Sequence, residues 1–165
     1  QIDPADLRQH IGYLSQEIGL MRGTIRDNLI YRDPQVDDDR LLEVSALCGV
    51  DQFVNQLPSG FDTQVGEQGA CLSGGQRQAI ALGRALLRNE SIVVLDEPTS
   101  NMDNSTEFKI KRQLFEYTRD KTLIVITHKT SMLDLVERLI VVENGRILMD
   151  GPKQQVVEKL KQLGK

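Results

Sequence analysis

The sequence has no apolar run long enough to cross a bilayer, no basic cluster, no cysteines at metal-binding spacing and few aromatic residues. Apolar runs such as Leu139 to Val142 fall far short of the roughly 20 residues a membrane helix needs, and no charged-then-apolar leader opens the chain. These residues are therefore expected to be soluble and untargeted. The formal net charge of −4 offers no general attraction to nucleic acid, and no stretch gathers the Lys and Arg that phosphate-backbone binding needs, so nucleic acid is excluded as an expected partner. Cys48 lies in an apolar helical pattern and Cys71 beside a glycine-rich loop. Outside any C-x-x-C spacing, both are expected to be reduced, structural thiols of a cytosolic protein. Internal repeats, low-complexity tracts and linkers are also missing.

What is there fits one globular domain. A length of 165 residues with 39% hydrophobic and 27% charged side chains gives enough material for a real core. Ile11 to Leu14 forms a short apolar strand that stops where Ser15, Gln16 and Glu17 take over. Leu41, Leu42, Val44, Ala46 and Leu47 recur at helical spacing between Asp37 and Leu47, with Gly49 as punctuation, and a shorter helix is expected from Asp51 to Gln56. Between Ser59 and Gly75 the glycines 60, 66, 69, 74 and 75 mark a loop that delivers the chain to a helix running from Gln76 to Leu87. The rest alternates: a strand at Ile92 to Leu95, a helix from Ser105 to Tyr117, a strand at Leu123 to Ile126, a helix from Ser131 to Glu137 and a strand at Leu139 to Val142. Glu143-Asn144-Gly145-Arg146 then reads as a hairpin turn, and a terminal helix runs from Lys153 to Leu163. Continuously apolar strands alternating with helices belong to an α/β fold with a parallel sheet covered on both faces.

Two segments carry chemistry. The strand Ile92 to Leu95 ejects Asp96 and Glu97 at its C-terminal end, the edge where ligands of open α/β sheets bind. Asp96 is placed to hold Mg²⁺ on a nucleotide and Glu97 to polarise a water for attack on a γ-phosphate, although taken alone the pair equally well opens a turn before Pro98. Upstream, in Leu72-Ser73-Gly74-Gly75-Gln76, two glycines let the backbone approach a phosphate while the following helix offers unpaired N–H groups and a positive dipole end. By itself this is also an ordinary loop-to-helix turn. A single helix separates it from the carboxylate strand.

Leu72 to Gln76 with Arg77-Gln78, followed by Leu95-Asp96-Glu97-Pro98-Thr99-Ser100, resembles the signature motif and Walker B segment of ABC ATPases in order and spacing. Along the rest of the chain Gln16 is similar to the Q-loop glutamine, Gly66-Glu67-Gln68-Gly69 to the X-loop of exporters, Ser100 to Asp103 to the D-loop, and His128 to the switch histidine. The resemblance implies a P-loop NTPase (RecA-like) parallel sheet core with a helical subdomain, divided as residues 1–23 (Q-loop strand and loop), 24–90 (helical subdomain with the signature) and 91–165 (Walker B, D-loop and H-loop core). It implies neighbouring strands at Ile11, Ile92 and Leu123. It further implies ATP and Mg²⁺ as ligands, with Asp96 and Gln16 serving the metal, Glu97 as general base, and His128 stabilising charge on the γ-phosphate. Ser73, Gly74, Gly75 and Gln76 would cap the nucleotide held by a second copy in a head-to-tail pair, and Asp103 would couple the two sites.

Gln1-Ile2-Asp3-Pro4 to Arg8, the Gln16 loop, Gly23 to Asn28 and residues 66–69 resemble exporters, with the pattern from Pro98 to Glu107 similar to type I secretion ATPases. The implied partner is a transmembrane domain reached through residues from about Gln16 to Asn28 and the X-loop, at the cytoplasmic face of the membrane. Asn101, Ala79 and Gly83 depart from the family pattern, where small, Arg and Ala residues are common in turn. No segment fits G-x-x-x-x-G-K-[ST], the only Gly-Lys pair being Gly164-Lys165, so the P-loop is expected upstream of Gln1 and these residues alone are expected not to hydrolyse ATP. Other readings are a soluble ABC ATPase acting on nucleic acid or ribosomes and a non-catalytic regulatory domain. The acidic charge and exporter-like X-loop argue against the first, and Glu97 together with His128 against the second.

Overall fold

A computed structural model describes residues 3–162. Gln1, Ile2, Leu163 and the Gly164-Lys165 pair lie outside the described residues. The chain forms two compact units, Gln1–Thr127 and His128–Lys165.

The first unit opens with α1 (Pro4–Gln9), which the hydrophobic pattern does not reveal; Asp3 caps it, accepting the Ala5 N–H at 2.7 Å, with proline at its start. The strands β1 (Ile11–Leu14), β2 (Ile92–Asp96) and β3 (Thr122–Ile126) then form a parallel sheet in the order β1-β2-β3, with Tyr13 opposite Val94 and Val94 opposite Ile124. Between β1 and β2 run α2 (Ile25–Leu29), α3 (Asp38–Cys48), α4 (Val50–Val54) and α5 (Gly74–Leu86), and α6 (Asn104–Tyr117) joins β2 to β3. Helix α5 begins at Gly74, earlier than its apolar periodicity shows, because the glycines form its first turn.

Helix α5 is the pillar of this unit. Its Ile80, Leu82 and Leu86 are fully buried, as are Leu29 of α2 and Val44 of α3, each such side chain contributing roughly 1.5–3 kcal/mol. Gly83 permits the closeness: a Cβ there would lie 2.7 Å from Leu29 Cδ2 and 3.7 Å from Val44 Cγ1. On the sheet side, a Cβ on Gly12 would stand 2.4 Å from the Ala85 carbonyl oxygen. Arg40 of α3 donates to the Leu86 and Leu87 carbonyls at 2.8 and 2.9 Å, satisfying acceptors that the end of α5 leaves open.

The sheet departs from expectation in one respect. Gly12, Leu14, Val93 and Leu95 are buried on the face toward α5, whereas Tyr13 (54% exposed), Ile124 (49%) and Ile126 (51%) are open on the other. Among the described residues the sheet is thus covered on one face, not both. Helices α2, α3 and α4 pack against α5 and α6 against α3, and the apolar strands encode burial that those helices do not supply.

In the second unit the expected helix from Ser131 to Glu137 is a 3-10 helix, Thr130–Leu135, ending in extended Val136. The Leu133 carbonyl accepts the Val136 N–H at 3.3 Å, an i→i+3 bond of the 3-10 kind, and also takes the Lys153 ammonium at 2.9 Å. Strands β4 (Arg138–Glu143) and β5 (Arg146–Pro152) pair antiparallel around Asn144 and Gly145, whose φ values of 50° and 74° are those an Asn-Gly hairpin turn requires. Helix α7 (Lys153–Gln162) packs on β5 and buries Val156.

Candidate functional site

The C-terminal end of β2 brings out both carboxylates. Asp96 closes the strand opposite Ile126 and is half-buried. Glu97, also half-buried, takes φ 48°, a left-handed conformation that costs a non-glycine residue on the order of 1–3 kcal/mol and persists where the surroundings hold it. Several groups do hold it. The Glu97 N–H donates to the Ile126 carbonyl at 2.9 Å, the Thr127 hydroxyl donates to Glu97 Oε2 at 3.2 Å, and Gln78 Nε2 donates to the Glu97 carbonyl at 2.8 Å. The backbone therefore turns sharply out of the strand and presents the carboxylate at the sheet's C-terminal edge.

The motifs assign no role to Thr127, and none to Gln78 although it closes the signature-like run. Gln78 is 1% exposed and its Oε1 also accepts from Asn101 Nδ2 at 2.8 Å and Ser100 Oγ at 3.1 Å. The signal was present in the sequence as an amide at the edge of the apolar run Ala79-Ile80-Ala81-Leu82, where a buried polar side chain must find partners.

The Ser73 to Gln76 turn opens α5 with a capping box: Ser73 Oγ accepts the Gln76 N–H at 3.2 Å and Gln76 Oε1 accepts the Ser73 N–H at 2.8 Å. Gly74 and Gly75 precede the first ladder bond, from Arg77 N–H to the Ser73 carbonyl at 3.0 Å, so their amides stand outside the helical ladder at its positive end. The glycines serve packing as well. A Cβ at Gly74 would lie 3.4 Å from Asn101 Cβ, and one at Gly75 would lie 3.1 Å from the Asn101 carbonyl oxygen. Asn101, unusual by its size, is seated on this turn and anchored by Gln78.

Asp103 is the N-cap of α6. Its carboxylate accepts from the Thr106 hydroxyl at 2.7 Å and from the Ser105 and Thr106 N–H groups at 2.9 and 3.0 Å. The Thr106 hydroxyl foremost, then these amides, hold it below the usual carboxylate range. Gln16 lies exposed in the bend after β1, and because β1 adjoins β2, with Leu14 opposite Leu95, Gln16 and Asp96 follow neighbouring strand ends. His128 is the exposed first residue of the second unit, directly after Thr127. Among the described residues, no group of three or more His, Cys, Asp or Glu stands together as a protein-only metal site.

The loop after Gln16 and the loop at 66–69 are stitched to the start of α2. Val65 N–H donates to the Gly23 carbonyl and Ile25 N–H to the Thr63 carbonyl, both at 3.0 Å. A Cβ on Gly69 (φ 78°) would fall 3.0 Å from Leu20 Cδ1 and 2.7 Å from Arg77 Cδ. Asn28, fully buried, accepts the Met21 N–H at 2.8 Å and donates to the Met21 and Thr24 carbonyls at 2.9 Å.

With this geometry in view, residues 1–100 match the family model of the ABC transporter. The chain belongs to the ABC transporter family. Its relatives include the RTX-I toxin translocation ATP-binding protein of Actinobacillus pleuropneumoniae, 38% identical over 94% of this chain and 22% of that protein. A further relative is the ATP-dependent lipid A-core flippase of Shewanella oneidensis, 39% identical over 92% of this chain and 26% of that one. The structure of a bacterial Atm1-family ABC exporter with ATP bound superposes with a TM-score of 0.90 at 29% identity, covering 94% of this chain and 27% of the exporter. The chain thus spans about a quarter of the length of these relatives. Within the ABC family, its parallel sheet and packed helices are the fold of an exporter nucleotide-binding domain, an ATP-binding module.

Proposed function

We propose that this chain belongs to the ATP-hydrolysing subunit of an ABC exporter and that the parent protein powers transmembrane export, with protein secretion as the process. The observation that carries this reading is the end of β2, where Glu97 is forced into a left-handed turn and its carboxylate faces out at the ligand-binding edge of a parallel sheet, one residue past Asp96. The names of the toxin-translocating and lipid-flipping relatives support export and those of the toxin translocators support secretion.

In this reading Glu97 takes or orients the proton of the attacking water, its carboxylate steadied by the Thr127 hydroxyl, and His128 stabilises the charge that develops on the γ-phosphate. Asp96 and Gln16 offer a carboxylate and an amide oxygen from adjoining strand ends. Such hard oxygen donors fit Mg²⁺, which is held by few protein ligands plus phosphate oxygens and polarises the phosphoryl group when bound. Ser73, Gly74, Gly75 and Gln76 cap the nucleotide of a second, head-to-tail copy, the Gly74 and Gly75 amides outside the helical ladder facing its phosphates while the Ser73–Gln76 capping box holds the turn. Asp103, as a committed helix cap, fixes the direction of the D-loop toward that copy. Residues 16–28 and 66–69 form the face toward the transmembrane domain, which places the intact transporter's ATPase at the cytoplasmic side of the membrane. The division into residues 1–23, 24–90 and 91–165 is the functional one we propose.

Because the phosphate cradle of a P-loop supplies most nucleotide contacts, the 165 residues alone bind Mg-ATP only weakly, and a protein carrying the upstream segment binds and hydrolyses it. Calorimetry on both proteins tests this. Tight, micromolar binding by the 165 residues would reveal a phosphate site outside this reading, and a longer protein without ATPase activity would overturn it.

A further inference from the structure

Gln78 stands on the buried side of α5, between the Ser73 to Gln76 turn and the end of β2. Its amide is used at both ends, Nε2 giving a hydrogen bond to the Glu97 carbonyl at 2.8 Å and Oε1 receiving Asn101 Nδ2 at 2.8 Å and Ser100 Oγ at 3.1 Å. The carbonyl it grips belongs to the residue with the left-handed φ of 48°. Fixing that carbonyl fixes the ψ of Glu97, and with it the strained turn that aims the carboxylate. The same carbonyl accepts the Ser100 N–H at 3.2 Å, so Gln78 also closes the turn leading to Asn101. Asn101 in turn rests on Gly74 and Gly75, at the separations of 3.4 and 3.1 Å that a Cβ on each would have. A closed circuit results: the first turn of α5, Asn101, the Gln78 amide, Glu97.

We propose that Gln78 is a positioning residue that couples the anion-binding turn Ser73 to Gln76 to the carboxylate of Glu97. The inference rests on the reading above, in which the turn caps the nucleotide of a second copy while Glu97 serves the nucleotide of its own. A shift of the α5 first turn on engaging phosphate moves Asn101 and the Gln78 amide together, and this adjusts the Glu97 carbonyl. One side chain thus links two nucleotides through a single chain. It also accounts for asparagine at position 101, since a small apolar residue would leave Gln78 Oε1 with the Ser100 hydroxyl alone.

The test uses Gln78→Met, which keeps length and loses every hydrogen bond, and Gln78→Glu, which keeps the acceptor and loses the donor to Glu97. In the 165-residue chain, hydrogen exchange of the amides from Glu97 to Asp103 is expected to quicken about tenfold or more in Gln78→Met, with those of α3 unchanged. In the intact transporter, both variants are expected to lower kcat about tenfold or more while the Kd for Mg-ATP stays within about threefold, the split that marks a lost transition-state interaction. Wild-type exchange at residues 97–103, or a kcat within about twofold of wild type at wild-type helix content, would overturn the proposal. If Gln78→Met does not fold, Gln78→Glu decides by the same kcat and Kd comparison. A wild-type transporter without ATPase activity would defeat the functional reading instead, and the exchange measurement would still decide whether Gln78 holds the Glu97 segment.

Discussion

Asn28→Ala tests directly how the loop before α2 is held to the helix. Asn28 is completely buried, and its amide makes hydrogen bonds of 2.8 to 2.9 Å to Met21 N–H, Met21 C=O and Thr24 C=O. Each contributes about 0.5–1.5 kcal/mol net, and a donor left buried without a partner costs more, so the substitution should destabilise the domain by about 2–4 kcal/mol. For a domain of this size that is a fall in Tm of about 5–12 °C. Urea titration followed by circular dichroism should show a lower midpoint at an unchanged slope, and trypsin should cut faster after Arg22, because the loop that Asn28 pins is the one it releases. Asn28→Asp should be nearly as damaging, since a carboxylate cannot donate to either carbonyl. Exposed Asn55→Ala is the control. A change below about 0.5 kcal/mol for Asn28→Ala would refute the reasoning, because that is the effect of a surface substitution that breaks no such contacts.

Gly12→Ala should destabilise by about 1–3 kcal/mol or more in the same titration, since its Cβ would lie 2.4 Å from the rigid Ala85 carbonyl oxygen; a neutral result would show that β1 and α5 separate freely. Asp27, whose carboxylate accepts the Thr24 N–H at 2.8 Å, is held below the ordinary carboxylate range by that bond foremost. A depressed folded value means its contribution is complete above the unfolded carboxylate pKa of about 3.9 and is lost as pH falls through the folded value, so Asp27→Asn should flatten stability against pH below about 5, by a small amount because the group is exposed. The open apolar face at Tyr13, Ile124 and Ile126 should drive self-association of the 165 residues in a concentration series by light scattering, and a monomer throughout would show that water tolerates that face.

Much of this was legible in the sequence because the relevant physics is local. The apolar runs at Ile11, Ile92 and Leu123 are the strands of the sheet in the implied order, and Asn144-Gly145 forms the turn its dipeptide requires. Helix α2 was hidden in the reading of residues 23–28 as a motif, although Thr24 and Asp27 form a capping box, a signal independent of apolar periodicity. The segment Thr130–Leu135 differs the other way: apolar residues at helical spacing do not distinguish an α-helix from a 3-10 turn, and here the Leu133 carbonyl is taken by a distant lysine. At the site, Asp96 and Glu97 could be placed from strand and turn alone. The Gln78 amide could not, because its partners Glu97, Ser100 and Asn101 are 19 to 23 residues away and only tertiary packing brings them together.

If Glu97 carries the proton transfer of ATP hydrolysis, as proposed, Glu97→Gln in the protein that carries the upstream segment tests it most directly. The amide preserves shape and cannot take a proton, so steady-state turnover should fall by about a hundredfold or more while Mg-ATP binding is retained and an ATP-stabilised dimer accumulates. Hydrolysis by Glu97→Gln within a few-fold of wild type would contradict the account.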